Sequence, residues 1–200
     1  MRAMLRFIAF LVFLFGCIAG LVMGPVGPSR AGEVGSVHLL RSLIVQPDPA
    51  GGVRATATLL FPGSPAVLHS ILTDYHKWPE LFETKMRMAQ VEERDGHVLT
   101  DVYISHALLP GEQRLLCESQ VLPGGGLVTD LKGGDFKQYH RAWKLEPAGD
   151  GTQTRADFEL LVEPKTMIPD WLIAVAMERE LNVHFRIVRQ KALDRATKEK

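Results

Sequence analysis

Hydrophobic and polar positions alternate along most of the chain, and the period changes three times. From Val53 to Phe61, residues Val53, Ala55, Ala57, Leu59 and Phe61 fall on one side of an extended chain and Arg54, Thr56 and Thr58 on the other. That is a strand with one covered face. Val37–Val45 reads as the strand before it, and the Pro/Gly-rich stretch Gln46–Gly52 as the loop between them. At Ser64 the period lengthens. Ser64 is placed as an N-cap, Pro65 as the first helical residue, and Val67, Leu68, Ile71, Leu72 and Tyr75 form one stripe. Trp78-Pro79 ends this helix, because a residue before proline avoids the helical region, and Glu80–Thr84 is expected to add one more turn.

From Lys85 to Glu163 the period returns to two. Turn signals at Asp95-Gly96, Pro110-Gly111, Pro123–Gly126, Gly133-Gly134 and Gly149–Gly151 cut this stretch into six strands. Thr154, Ala156, Phe158, Leu160 and Val162 oppose Gln153, Arg155, Asp157, Glu159 and Glu163; Tyr139, Arg141, Trp143 and Leu145 oppose Gln138, His140, Lys144 and Glu146. Leu115, Cys117, Ser119 and Val121 likewise oppose Arg114, Glu118 and Gln120. One wet and one covered face per strand is the pattern of an antiparallel sheet packed on one side. The faces of Val98–Leu109 are not separable by pattern.

The last change of period opens a long helix, Pro169–Lys191. Pro169 suits a first helical turn, where its missing N–H has no partner to lose, and Asp170 complements the helix dipole. Leu181, Phe185, Val188 and Ala192 keep to one stripe opposite Arg179, Arg186 and Arg189, whereas Trp171–Met177 is apolar on every side. That first half is expected to be covered all round, by protein, ligand or bilayer. Strands, two short helices, a six-strand meander and one long helix make an α+β domain with its helices on one face of a curved antiparallel sheet.

Composition fits one globular domain, 46% hydrophobic over 200 residues. The N-terminus stands apart. Arg2 and Arg6 precede an uncharged run from Phe7 to Gly24, and Pro25, Gly27, Pro28 and the small-x-small triplet Ser29-Arg30-Ala31 follow. Residues 1–31 therefore read as a secretory signal cleaved after Ala31, or as a retained membrane anchor, since the apolar run reaches the short limit for a span. Leu14-Phe15-Gly16-Cys17 also offers a lipoprotein reading. Export to the periplasm, free or tethered to the bacterial inner membrane, is the expectation. Losing residues 1–31 removes three arginines and no acid, so 23 basic side chains become 20 against 23 acidic ones, a net charge of −3. Nucleic acid is a poor partner for that balance. Cys117 is left without a disulfide partner, so residues 32–200 must stand on their core.

Motifs for chemistry are sparse. There is no His-x3-His, no His-Glu-x2-His and no Gly-x-Ser-x-Gly, and Glu180 and His184, four apart on the long helix, read as a simple side-chain pair. No metal and no cofactor is expected. Cys117 and Ser119 read as small side chains on a packed face, and the glycine clusters as hairpin turns. Arg141 is the sharpest residue, because an arginine between Tyr139 and Trp143 on a covered face needs a partner. That need is met by an ion pair with Asp101 or Asp135, by a position near the open end of a pocket, or by the polar or anionic head of a ligand.

The order of elements, with Ser64-Pro65 opening the first helix, Leu72–Tyr75 and Trp78-Pro79 closing it, Gly134-Asp135-Phe136, Trp143–Pro147, and Pro164 to Pro169 before the last helix, resembles the START-like, helix-grip superfamily (SRPBCC). Within it the chain is most similar to the polyketide-cyclase and coenzyme Q-binding branch, over about residues 53–192. Relatives often carry glycine two places before the strand tryptophan; here that place is Arg141. The resemblance implies a hydrophobic cavity between the long helix and the sheet. Trp171–Met177, Trp171 and Val175 among them, would form one wall, Leu115, Val121, Leu131, Tyr139, Arg141, Trp143, Phe158 and Leu160 the other, and Trp78, Phe82 and Phe136 the mouth. It further implies a lipid or quinone as the bound partner, with a membrane surface as a second partner and no bond made or broken. The rival implied activities are a cyclase or dehydratase using Arg141, Tyr139 or Asp135, and a protein-interaction module.

Overall fold

The computed structural model describes residues 40–198, so the signal or anchor expected in residues 1–31 lies outside the described residues. Strands β1 (Leu40–Pro47) and β2 (Val53–Pro62) are followed by helix α1 (Pro65–Leu72) and a 3-10 turn (Tyr75–Leu81). The meander comprises β3 (Lys85–Arg94), β4 (His97–Ser105), β5 (Glu112–Val121), β6 (Leu127–Gly134), β7 (Phe136–Ala148) and β8 (Gln153–Pro164), and helix α2 (Asp170–Lys198) is the last described element. All eight strands form one antiparallel sheet in the order β1-β2-β8-β7-β6-β5-β4-β3.

The alternation of β2 places Val53, Ala55, Leu59 and Phe61 at 0% exposure, under α2. The backbone of α2 approaches the sheet at β1 and β2 and lies against α1. Arg195, in the last turns of α2, donates to Ser70 Oγ at 2.5 Å and pairs with Asp74 at 3.5 Å, which ties α2 to α1 and continues the helix beyond the Lys191 expected for its end. At the other end Pro169 stands just outside the helix. Its carbonyl accepts the first bonds, from Leu172 N at 3.0 Å and Ile173 N at 3.3 Å, so it acts as the cap rather than as the first helical residue.

Helix α1 is shorter than the stripe predicts. It stops at Leu72, where the Thr73 hydroxyl turns back to the His69 carbonyl at 2.9 Å and Asp74 leaves the helical region. Trp78 and Pro79 then lie inside the 3-10 turn, and Phe82 is already extended, so Glu80–Thr84 makes no turn of its own. Strand β4 explains its ambiguous pattern, for Thr100, Asp101 and Val102 are all buried in its middle: it is covered on both faces there. Between β6 and β7 the backbone of Gly134 takes φ +107°, and a Cβ at this place would run into the carbonyl of Arg114, so only glycine fits.

Buried side chains form two clusters. The larger centres on Trp143, with Phe61, Phe158 and Phe185 at ring distances of 6.2, 4.7 and 5.9 Å. The smaller joins Leu115, Cys117 and Phe136, with Leu131 and Tyr139 packed on it. Among the described residues no helix is long and apolar enough to cross a membrane.

Candidate functional site

The space lined by members of both clusters is a cavity of about 210 Å³ between α2 and the concave face of the sheet. Strands β4 to β8 supply Thr100, Val102, Leu115, Cys117, Thr129, Tyr139, Arg141 and Leu160. The 3-10 turn and the segment after it bring Trp78 and Phe82, and α2 brings Ile173, Ala176 and Met177. Thr100, Cys117 and Arg141 are 0, 2 and 7% exposed, which makes theirs the inner end. His106 and Glu180 have side chains 22 and 25% exposed and mark the mouth, with Leu108 and Leu109 of the β4–β5 loop beside them.

Arg141 is the centre of the inner end. Its register partners are Thr129 on β6 and Leu160 on β8. One face of the guanidinium lies 4.3 Å from the centre of the Trp78 ring, and Trp78 is itself held by its indole N–H donating to the Leu72 carbonyl at 2.8 Å. Nη2 reaches the Thr129 hydroxyl only at 3.5 Å, and that hydroxyl shares a 2.9 Å hydrogen bond with Ser119. Nε has no acceptor. The two carboxylates that sequence offers as partners are engaged elsewhere. Asp101 takes a forked pair of bonds from Arg114 (Nε at 3.0 Å, Nη2 at 2.9 Å), and Asp135 accepts the Arg114 backbone N–H at 2.7 Å. Among the described residues no ion pair includes Arg141, so the cation is buried without a counter-charge, an arrangement that costs several kcal/mol.

Other polar groups surround it. The Thr100 hydroxyl is buried with no hydrogen-bond partner. Burial pushes the Cys117 thiol up to about 12, against the pull of Arg141, so it stays protonated and is no nucleophile. Burial likewise raises the Tyr139 phenol. His184 is buried behind Phe82, its ring stacked at 4.3 Å, with Nδ1–H donating to the Leu81 carbonyl at 2.8 Å. Burial lowers it to about 4, and it is neutral. It does not pair with Glu180, which instead accepts from the Thr84 hydroxyl at 2.6 Å and faces His106 Nε2 at 4.0 Å. Among the described residues no three His, Cys, Asp or Glu side chains are placed to hold a metal ion.

Of the residues expected to line the space, Trp78, Phe82, Leu115, Phe136, Tyr139, Arg141 and Leu160 converge on it. Leu131 packs behind, against Leu115, Cys117 and Phe136. Trp143 and Phe158 face the right way but are sunk in the aromatic core, where Phe61 and Phe185 cover them. Val121 is 45% exposed at the far end of β5, beyond the cavity. Trp171 and Val175 are 63 and 61% exposed, because they occupy the outer face of the helical turns whose inner face presents Ile173, Ala176 and Met177. The apolar first half of α2 is thus covered on one side only among the described residues. Thr100, Thr129, Glu180 and His106 were not singled out by pattern as lining residues. Thr100 belongs to the strand whose faces sequence does not separate, and the other three are ordinary polar positions.

An open antiparallel sheet wrapped around a long C-terminal helix, with a lined space between, is the helix-grip fold of START proteins. Residues 61–183 match the family model for polyketide cyclase / dehydrase and lipid transport, and the chain belongs to that family. No curated protein matches the sequence. Among solved structures the chain is similar to a START superfamily protein from Mycobacterium smegmatis, with 15% identity, 70% of this chain and 97% of that one covered, and a TM-score of 0.57. A STAR-related lipid transfer protein from Xanthomonas axonopodis (fragment 25–204) matches with 9% identity, 80 and 96% coverage and a TM-score of 0.58. The Zhui aromatase/cyclase from Streptomyces sp. R1128 matches with 11% identity, 72 and 93% coverage and a TM-score of 0.54. At these identities the likeness is one of fold.

Proposed function

We propose that the protein holds one hydrophobic or amphipathic small molecule, a lipid or a quinone, in the cavity under α2, and that it does so in the bacterial periplasm beside the inner membrane. The observation that carries this reading is the space of about 210 Å³, open at its mouth and with a mostly apolar wall, between α2 and the sheet. The family's description, which includes lipid transport, supports it. Export rests on the basic, apolar and small-residue order of residues 1–31. The exposed Met167, just before α2, and Trp171 and Val175, on the outer face of α2, supply apolar surface suited to a bilayer beside the cavity.

A polarity-sensitive apolar dye is expected to bind one per chain and to be displaced by lipids or quinones. Ala176→Phe, which fills the cavity from α2, removes that binding; dye binding that survives the substitution in a folded protein places the ligand elsewhere. N-terminal sequencing of the protein recovered from an expressing bacterium tests export: a start at Gly32 or a membrane-bound full chain agrees, and a soluble full-length cytoplasmic chain disagrees.

One observation favours a second reading, a cyclase or dehydratase. Glu180 and His106 face one another across the mouth at 4.0 Å, two titratable groups in reach of anything in the cavity, with Arg141 available to steady a developing oxyanion. Turnover of a model β-hydroxy-ketone that is lost in Glu180→Gln would establish this reading. Binding without turnover leaves the carrier.

A further inference from the structure

Resting on the reading that the cavity binds an apolar molecule, we propose that its ligand is a single-chain carboxylate bound head-inward: the carboxylate lies against Arg141 and Thr100 at the inner end, and the tail runs to the mouth between α2 and the β4–β5 loop. Both inner groups are short of polar partners. Arg141 is 7% exposed, without a carboxylate in reach, and with Nε unpaired; Thr100 is 0% exposed with its hydroxyl unpaired; both line the same cavity. A carboxylate supplies what the two lack together, an acceptor for the hydroxyl and a counter-charge for the guanidinium. The Trp78 ring holds one face of the guanidinium in advance, and Arg141 lines the cavity.

The polarity of the site sets the direction. Among the described residues Glu180 is the one carboxylate lining the cavity, and it sits at the more exposed end with His106. An anionic head is therefore repelled at the mouth and attracted at the floor. Charge sets the class of head. One buried cation balances a monoanion, whereas a phosphate monoester near −1.5 to −2 leaves excess charge and an alcohol or quinone leaves the cation uncompensated. Size limits the tail. A space of about 210 Å³ lies below the ~300–1,000 Å³ of pockets that enclose drug-sized ligands, so it suits one acyl chain and not two.

The test is calorimetric titration of the full chain, stripped of bound lipid, with decanoate, decanol and decyltrimethylammonium, which share a tail and differ in head. Decanoate is expected to bind roughly 10- to 100-fold tighter than decanol, the range of a charge-assisted hydrogen bond, and the ammonium weakest. Arg141→Met removes the advantage of decanoate over decanol. Thr100→Val, of nearly the same shape, lowers decanoate affinity alone and serves as the second variant where Arg141→Met does not fold. Equal binding of decanoate and decanol to the wild type overturns the carboxylate while leaving the apolar cavity site standing. Failure of all three to bind overturns the cavity reading and the carboxylate with it.

Discussion

Arg141 is expected to make the empty protein less stable than it needs to be. Replacing it by methionine keeps an unbranched side chain of moderate length while removing a buried charge that lacks a counter-ion. The isolated cation costs several kcal/mol. Its contact with the Trp78 ring returns about 1–2 kcal/mol, and the 3.5 Å approach to Thr129 returns little. The difference is a gain of about 2 kcal/mol for Arg141→Met in the ligand-free protein. In a chain of this size each kcal/mol moves the melting temperature by about 2–4 °C, so Tm should rise by about 4–8 °C. Scanning calorimetry of wild type and variant, both stripped of lipid, measures this directly. A ligand for Arg141, added at about 100 times its Kd, stabilises the wild type by about 2.7 kcal/mol and brings the two melting curves together. A variant that melts several degrees below the wild type would refute the reasoning, since Arg141 would then be supporting the fold and not awaiting a ligand.

Further expectations concern the core, the β6–β7 corner and the outer face of α2. His184 is neutral in the folded protein down to about pH 4, whereas an unfolded histidine takes up its proton below about 6.5. Stability from this residue is therefore complete above 6.5 and lost as pH falls toward 4, by about 2 kcal/mol at about pH 5. His184→Gln should flatten the fall in the urea midpoint between neutrality and that pH, and an unchanged slope contradicts the assignment. Gly134→Ala forces a Cβ into the Arg114 carbonyl at a positive φ. It should cost more than about 3 kcal/mol in urea unfolding; a wild-type midpoint would mean the corner relaxes freely. Trp171→Ser combined with Val175→Ser should weaken vesicle co-sedimentation by at least about tenfold while leaving dye binding in the cavity unchanged. Loss of dye binding instead would put these side chains at the ligand.

The architecture was legible because each level of the sequence pointed the same way. The alternation in β2, β5, β7 and β8 gave both strand and face, and the glycine-bearing turns gave the six-strand division. What alternation cannot give is depth. Trp143 and Arg141 share a face two residues apart, yet one is sealed in an aromatic cluster and the other opens on the cavity, because α2 lies close at β1 and β2 and leaves space over the middle strands. Trp171 and Val175 were misplaced by the assumption that an apolar helical turn is covered on every side; in the described residues only its inner face is. Thr100 escaped notice because β4 is buried on both faces at that point, so its pattern carries no direction. Arg141 was visible from its residue type alone. That it lacks a partner needed the distances, which show Asp101 and Asp135 engaged by Arg114 instead.

Native mass spectrometry of the full chain, isolated without detergent and followed by solvent extraction of whatever it carries, tests the central claim most directly. The account predicts a one-to-one complex with a single-chain amphiphile that bears a carboxylate and is absent from Arg141→Met. A stoichiometric complex with a neutral or two-chained lipid, retained by that variant, would contradict the carboxylate assignment. A protein that carries nothing and takes up no apolar molecule when offered would contradict the cavity as a binding site.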